Sequence, residues 1–154
     1  MAENRKGFTL VELMIVLAII AIVATLAIVN LSTSEQSANE SAAIKAMSSL
    51  VVAEQEHKRS ESTFVALADL ENPNGDHRVP KLEDGEDHGY TFADIGVPTE
   101  GSYAFSAVPN EDGKTGTYTF IVNESGTVYK MDTDSVAPAA YPADPIAAGW
   151  TEAK

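Results

Sequence analysis

The sequence contains no cysteine, which excludes disulfides, thiolate zinc sites and thiol nucleophiles together. Between Phe8 and Asn72, 65 residues pass without one glycine or proline, whereas all seven prolines and nine of the ten glycines come later. Helix breakers are therefore confined to the second part of the chain, which predicts a helical first part to about residue 60 and strands and turns after it. Basic residues are scarce, 10 against 23 acidic ones, for a formal net charge of -13. This excludes the clustered Lys and Arg of a nucleic-acid surface. Residues 64–154 alone hold 5 basic and 16 acidic residues, the pattern of a soluble, self-repelling surface.

Catalytic signals are also missing. No Ser/His/Asp set, phosphate-cradling glycine loop or pair of catalytic carboxylates stands out, so neither an enzyme activity nor a cofactor is expected. His57, His77 and His88 are scattered without helical i, i+4 spacing. Asp132 and Asp134 in "MDTDS", and "EDGED" at 83–87, offer hard oxygen ligands but follow no EF-hand loop, and they read as solvated acidic turns rather than a metal site. Asn39 and Asn123 begin N-x-S sequons, to which no modification is assigned.

What is present is a dense apolar block, "KGFTLVELMIVLAIIAIVATLAIV". Residues 8–31, as a helix, would span ~36 Å, slightly more than the ~30 Å hydrocarbon core of a bilayer. Leu13 to Val29 contains no charge and one hydroxyl, Thr25, which a helix can hydrogen-bond to its own preceding turn. Arg5 and Lys6 precede the run, and Glu35 and Glu40 are the first charges after it, so the N-terminus is expected in the cytoplasm. Glu12 is the anomaly. A carboxylate in an inserted helix costs ~2.5 to 3.5 kcal/mol at the bilayer centre, less near the edge, where it can snorkel. A cleaved signal peptide would explain Arg5 and Lys6, with "TLA" at 25–27 as its cleavage site. Its apolar region, however, would be longer than the usual ~7 to 15 residues.

Gly7, Phe8 and Glu12 in this setting resemble the N-terminal processing segment of type IV prepilins and the related pseudopilins. The resemblance implies that a membrane prepilin peptidase and methyltransferase cuts between Gly7 and Phe8 and N-methylates the new amine of Phe8. It also implies that Glu12 of an incoming subunit meets the Phe8 amine of its neighbour as the helices bundle. Each position has a physical reason. Gly7 lets the backbone lie extended in a peptidase cleft. Glu12 would sit one turn into a helix beginning at Phe8, where the positive end of the helix dipole favours an anion and a local i, i+4 pairing with Phe8 is also open. A buried ion pair that forms in one stagger only sets register more than it adds stability. Two departures stand out: many relatives carry a proline late in the apolar segment where this chain has Val29, and many staple their C-terminal region with a disulfide.

Beyond Leu31, Ala38, Ala42, Ile44, Met47, Leu50, Val51 and Ala53 recur at three- and four-residue steps, as in a helix with one packed stripe. "STSE" at 32–35 is a possible capping box, so a bend there competes with one continuous helix, the favoured reading. Residues 62–89 read as loop around a short helical segment, Val65 to Leu70. Four alternating runs follow, Tyr90–Ile95, Tyr103–Val108, Thr117–Asn123 and Thr127–Asp132, three of them with a Tyr-x-Phe pair on one face. "NESG" at 123–126 predicts a tight hairpin between the last two. The tail 133–154, rich in Ala and Pro, is expected to wrap the domain or stay mobile.

The expected fold is α+β and pilin-like: a long N-terminal helix packed on a three- to four-stranded antiparallel sheet with one aromatic face. Its parts are a leader (1–7), a transmembrane and filament-core helix (8–31), an amphipathic continuation (32–60) and a sheet domain with its tail (61–154). The expected function is a structural subunit of a type IV pilus-like filament. The alternative is a pseudopilin of a type II secretion system, and a lesser one is a membrane-anchored or secreted binding domain. The resemblance implies as partners copies of the chain itself, the peptidase, an inner-membrane assembly platform with its ATPase and, before assembly, membrane lipid. The expected location is the inner membrane, then an extracellular pilus or periplasmic pseudopilus.

Overall fold

The computed structural model of the chain describes residues 7–70 and 86–153; within its long helix, no side chain is described at residues 25–31. The leader residues Glu3, Arg5 and Lys6, the histidine His77, the turns through Gly85 and the side chain of Val29 lie outside the described residues. The chain divides into two compact units, Met1–Ser34 and Glu35–Lys154.

Helix α1 runs over Leu10–Glu61 without interruption, as the absence of breakers predicts. "STSE" therefore lies inside the helix and caps nothing. The helix starts two residues later than the apolar run, because Thr9 stands outside it as the N-cap. It ends where Ser62 takes a left-handed conformation at φ 65° and donates its N–H to the Lys58 carbonyl at 2.9 Å, a C-terminal turn more often made by glycine. Lys58 and Arg59 occupy the last turn, on the favourable side of the dipole.

A short helix α2 (Leu67–Leu70) follows, then strands β1 (Glu86–Asp87), β2 (Tyr90–Asp94), β3 (Ala104–Pro109), β4 (Thr119–Asn123), β5 (Tyr129–Met131) and β6 (Thr151–Glu152). They form one sheet in the order β1-β2-β3-β4-β5-β6, antiparallel at every step. β2 to β5 fall on the four alternating runs, β2, β4 and β5 shortened by one to three residues and β3 shifted one residue on. The six strands exceed the expected three or four because two-residue edge strands flank the sheet. At the β4–β5 hairpin, Gly126 has φ 75° and bonds to the Asn123 carbonyl, while the Asn123 carboxamide accepts the Ser125 N–H.

In the second unit, Ala43, Ala46, Met47, Leu50 and Ala53 of α1 pack against Tyr90, Phe92, Phe105, Ala107, Phe120 and Val122 of the sheet. The stripe differs from the expected one: Ala42, Ile44 and Val51 are only half-buried and Ala38 is exposed. The alanines Ala43 and Ala46 face the sheet, where small side chains let helix and strands approach. Each large side chain so buried contributes ~1.5 to 3 kcal/mol before ordering entropy is charged against it.

Burial is not confined to the aromatic face. On the opposite side, Ala104, Ser106, Thr119 and Ile121 of β3 and β4 are also buried. The tail covers this face: Trp150 is buried, Thr119 and Thr133 share a hydroxyl hydrogen bond of 2.6 Å, and β6 pairs with β5.

Polar ties lock α1 to the β3–β4 loop. Gln36 donates from Nε2 to the Gly113 carbonyl, Asn39 from Nδ2 to the Thr115 carbonyl at 3.0 Å, and Thr117 N–H to Glu40 Oε1 at 3.0 Å. Gly116 is required here: a Cβ would come within 1.9 Å of the Tyr90 hydroxyl, which donates to the Tyr118 carbonyl.

Candidate processing and assembly site

At the N-terminal end the geometry is built by Thr9. Its hydroxyl accepts the Glu12 N–H at 3.2 Å, while its own N–H and Oγ1 each donate to Glu12 Oε2 at 2.8 Å. This is a reciprocal capping box, in which the N-cap hydroxyl and the carboxylate three residues on satisfy each other's amides. The first backbone bond of the helix runs from Leu13 N–H to the Thr9 carbonyl at 3.2 Å.

The signal for this box, Thr-x-x-Glu, stands in the sequence, and reading the helix from Phe8 concealed it. Glu12 thus has a structural task in the uncut chain, as the fourth corner of the cap, and one of its carboxylate oxygens takes both bonds. Gly7 and Phe8 stay outside the helix. Gly7 has open space around it, and Phe8 is 87% exposed. The structure therefore leaves the Gly7–Phe8 bond in accessible, non-helical backbone.

From Leu10 to Val23, eleven large apolar side chains are each 46 to 73% exposed. At 3.6 residues per turn, the consecutive residues 13–17 alone face every direction. A helix apolar all round finds its complement in lipid or in other helices. Among the described residues no helix is long and apolar enough to cross a membrane. The expected span 8–31 runs on through residues 25–31, outside the described side chains.

The other sequence signals do not converge. His57 meets the Thr63 carbonyl, and His88 meets Asp87. Asp132 accepts the Asp134 N–H within its own turn. Among the described residues, no group of three or more His, Asp or Glu is placed to hold a metal. A cleft of about 200 Å³ beside β3 brings Tyr103, Tyr141, Asn123 and Glu124 together. Burial, with Tyr129 and Glu124 nearby, pushes the Tyr141 phenol up to about 12.

A capped apolar helix followed by an amphipathic one on an antiparallel sheet defines an α+β, pilin-like subunit. Residues 3–28 match the family model of the prokaryotic N-terminal methylation motif. The chain carries the signature of type IV prepilins and pseudopilins, a class of structural subunits rather than enzymes. The motif implies processing by prepilin peptidase from a membrane-anchored precursor and assembly into filaments. A comparison with curated proteins finds no match.

Proposed function

We propose that the chain is the structural subunit of a type IV pilus-like filament, cut between Gly7 and Phe8, N-methylated at Phe8 and polymerised through the helix 8–31. Before assembly it sits in the inner membrane with its N-terminus in the cytoplasm. The observation that carries this reading is one juxtaposition: the methylation motif covers an exposed cleavage position, a capped Glu12 and a helix apolar on all faces. Cleavage creates a cationic amine on Phe8. Glu12 of one subunit then pairs with that amine on a neighbour, and a head-to-tail contact whose rotation does not close gives an open helical filament. The assembly platform and its ATPase supply the extraction from lipid. The acidic second unit faces solvent and keeps the polymer dispersed.

The test is the N-terminus of surface material. Sheared filaments should contain a chain that begins with N-methylated Phe8 when analysed by mass spectrometry. A pseudopilin of a type II secretion system shares this N-terminus. It is the better reading if deleting the gene leaves filaments and motility intact and traps exoproteins in the periplasm. A chain still carrying Met1 to Gly7, or one cut after Ala27, would overturn both.

A further inference from the structure

The connector Ser62–Leu70 carries the chain from α1 through α2 and is stapled to the core by Phe64, Leu67 and Leu70, all buried. Along it the main chain is held at alternate residues, Thr63, Val65 and Leu67, by three ionisable side chains. His57 Nδ1 lies 3.1 Å from the Thr63 carbonyl; that oxygen can only accept, so Nδ1 carries the proton in this contact. Glu54 Oε2 accepts the Val65 N–H at 3.3 Å. Both oxygens of Asp94, on β2, accept the Leu67 N–H at 3.2 Å.

Glu54 is the unusual member. It projects from the packed stripe of α1 and is 0% exposed, yet among the described residues its Oε1 has no hydrogen-bond partner. The Tyr103 phenol oxygen is likewise buried without a partner among the described residues. A carboxylate with a single amide donor is poorly compensated for leaving water.

Among the described residues, the ionisable groups that act on it or on its neighbours come from several elements. His57 and Lys58 stand one turn on along α1, with the Lys58 ammonium 4.1 Å from the Phe64 ring centroid. Asp69 lies on the connector itself, Asp94 on β2, Tyr103 before β3 and Glu124 in the β4–β5 turn. Burial pushes the Glu54 carboxyl up to about 7, against the pull of the Val65 amide and His57, and Asp94 adds to the rise. Burial also raises Asp94, with the Leu67 amide opposing and Asp69 reinforcing.

We propose that the connector Ser62–Leu70 is a proton-operated latch, closed while Glu54 is neutral and released when it ionises. The neutral carboxyl still offers an oxygen to Val65 at little desolvation cost. Among the described residues the anion is left with one long amide contact, and a second carboxyl, Asp94 of β2, holds the same connector. Opening hands both to water. The closed state binds the proton more tightly than the open one, so closure is fully favoured below the ordinary carboxylate value of 4.5 and is lost as pH rises towards about 7.

Hydrogen exchange of the full chain in detergent micelles, read by mass spectrometry and corrected for intrinsic rates, tests this. Protection of the peptide covering 63–70 should fall by up to about tenfold per pH unit between about pH 5 and 7 and then level off. Peptides from β3 and β4 should show no such slope. Glu54→Gln, which keeps an acceptor for Val65, should abolish most of the slope, and Asp94→Asn should reduce the remainder. A flat profile in the unaltered chain overturns the latch, whatever the variants do. So does an equal slope in β3 and β4, which would be global unfolding, or an unchanged slope in a folded Glu54→Gln chain.

Discussion

The two stretches of α1 share one unbroken run of backbone and face opposite situations. From Leu10 to Val23 the large side chains are apolar and exposed on all sides; from Ala43 to Ala53 a narrow stripe is buried, and Lys45, Ser48 and Ser49 lie outside it with Ile44, Val51 and Val52. Helical propensity does not distinguish them, since neither contains Gly or Pro. Partners do. The second stretch meets its complement inside its own unit, in Phe105, Phe120 and the other aromatic residues of the sheet. The first has eleven exposed apolar side chains and must bury them against lipid or against other subunits. On the proposed function one stretch supplies folding energy and the other supplies assembly energy, so mutations in them should fail in different assays.

The largest expected effect is at Glu12. In the proposed assembly, Glu12→Ala removes the only anion available to the Phe8 amine within the apolar helix, and filament yield should fall by about two orders of magnitude or more, a scale consistent with loss of a desolvated charge pair. Thermal unfolding of the second unit, followed by near-UV circular dichroism in micelles, should not move. A variant that still enters filaments as well as the parent would remove the assembly role from Glu12. One that melts early would instead couple the two stretches.

A smaller effect separates them from the other side. Leu50→Ala deletes a fully buried side chain in the stripe and should cost about 3 kcal/mol in urea unfolding, within the usual range of ~2 to 5 kcal/mol for such truncations. Leu17→Ala removes the same atoms from a side chain 58% exposed in the isolated chain. It should leave unfolding of the second unit unchanged and weaken filament cohesion, measured as release of subunits by detergent. Equal losses of stability in the two variants would contradict the division.

Where sequence reading succeeded, it rested on patterns longer than a few residues. The missing breakers forecast α1, period-two alternation located β2 to β5, and the Gly7, Phe8 and Glu12 spacing carried the prepilin resemblance. Short or conditional features escaped it. β1 and β6 have two residues each, too few for any period, and they pair because neighbouring strands present an edge. The buried second face depends on where the tail goes, and nothing local in "PADPIAAGW" declares that Trp150 will be buried. Nothing local beside Gln55 and Glu56 marks Glu54 for burial, because burial of a carboxyl is decided by the connector folding back over it. Ala43 and Ala46 lie outside the stripe that spacing predicts, which includes Ala42 and Ile44, although close helix–sheet contact selects small residues there. The Thr9 cap was concealed by the continuous apolar run on either side of the helix start.

That cap supplies the finest distinction, because Glu12 has two separable properties, an acceptor oxygen and a charge. Thr9→Ala deletes the hydroxyl that bonds both the Glu12 amide and its carboxylate. Amide protection at Leu10 to Glu12, measured in micelles by exchange NMR, should fall about fivefold, the ordinary worth of a hydroxyl N-cap. Glu12→Gln retains an oxygen for Thr9, since glutamine serves in the same capping position, and should leave that protection near the parent value. Its effect on assembly should nevertheless approach that of Glu12→Ala, because the carboxamide offers no charge to a neighbour's amine. If Glu12→Gln assembles normally while Thr9→Ala does not, Glu12 acts by ordering the first turn and exposing Gly7 and Phe8, and the charge pair is dispensable. The reverse result confines the cap to shaping the N-terminal turn and leaves recognition between subunits to the carboxylate.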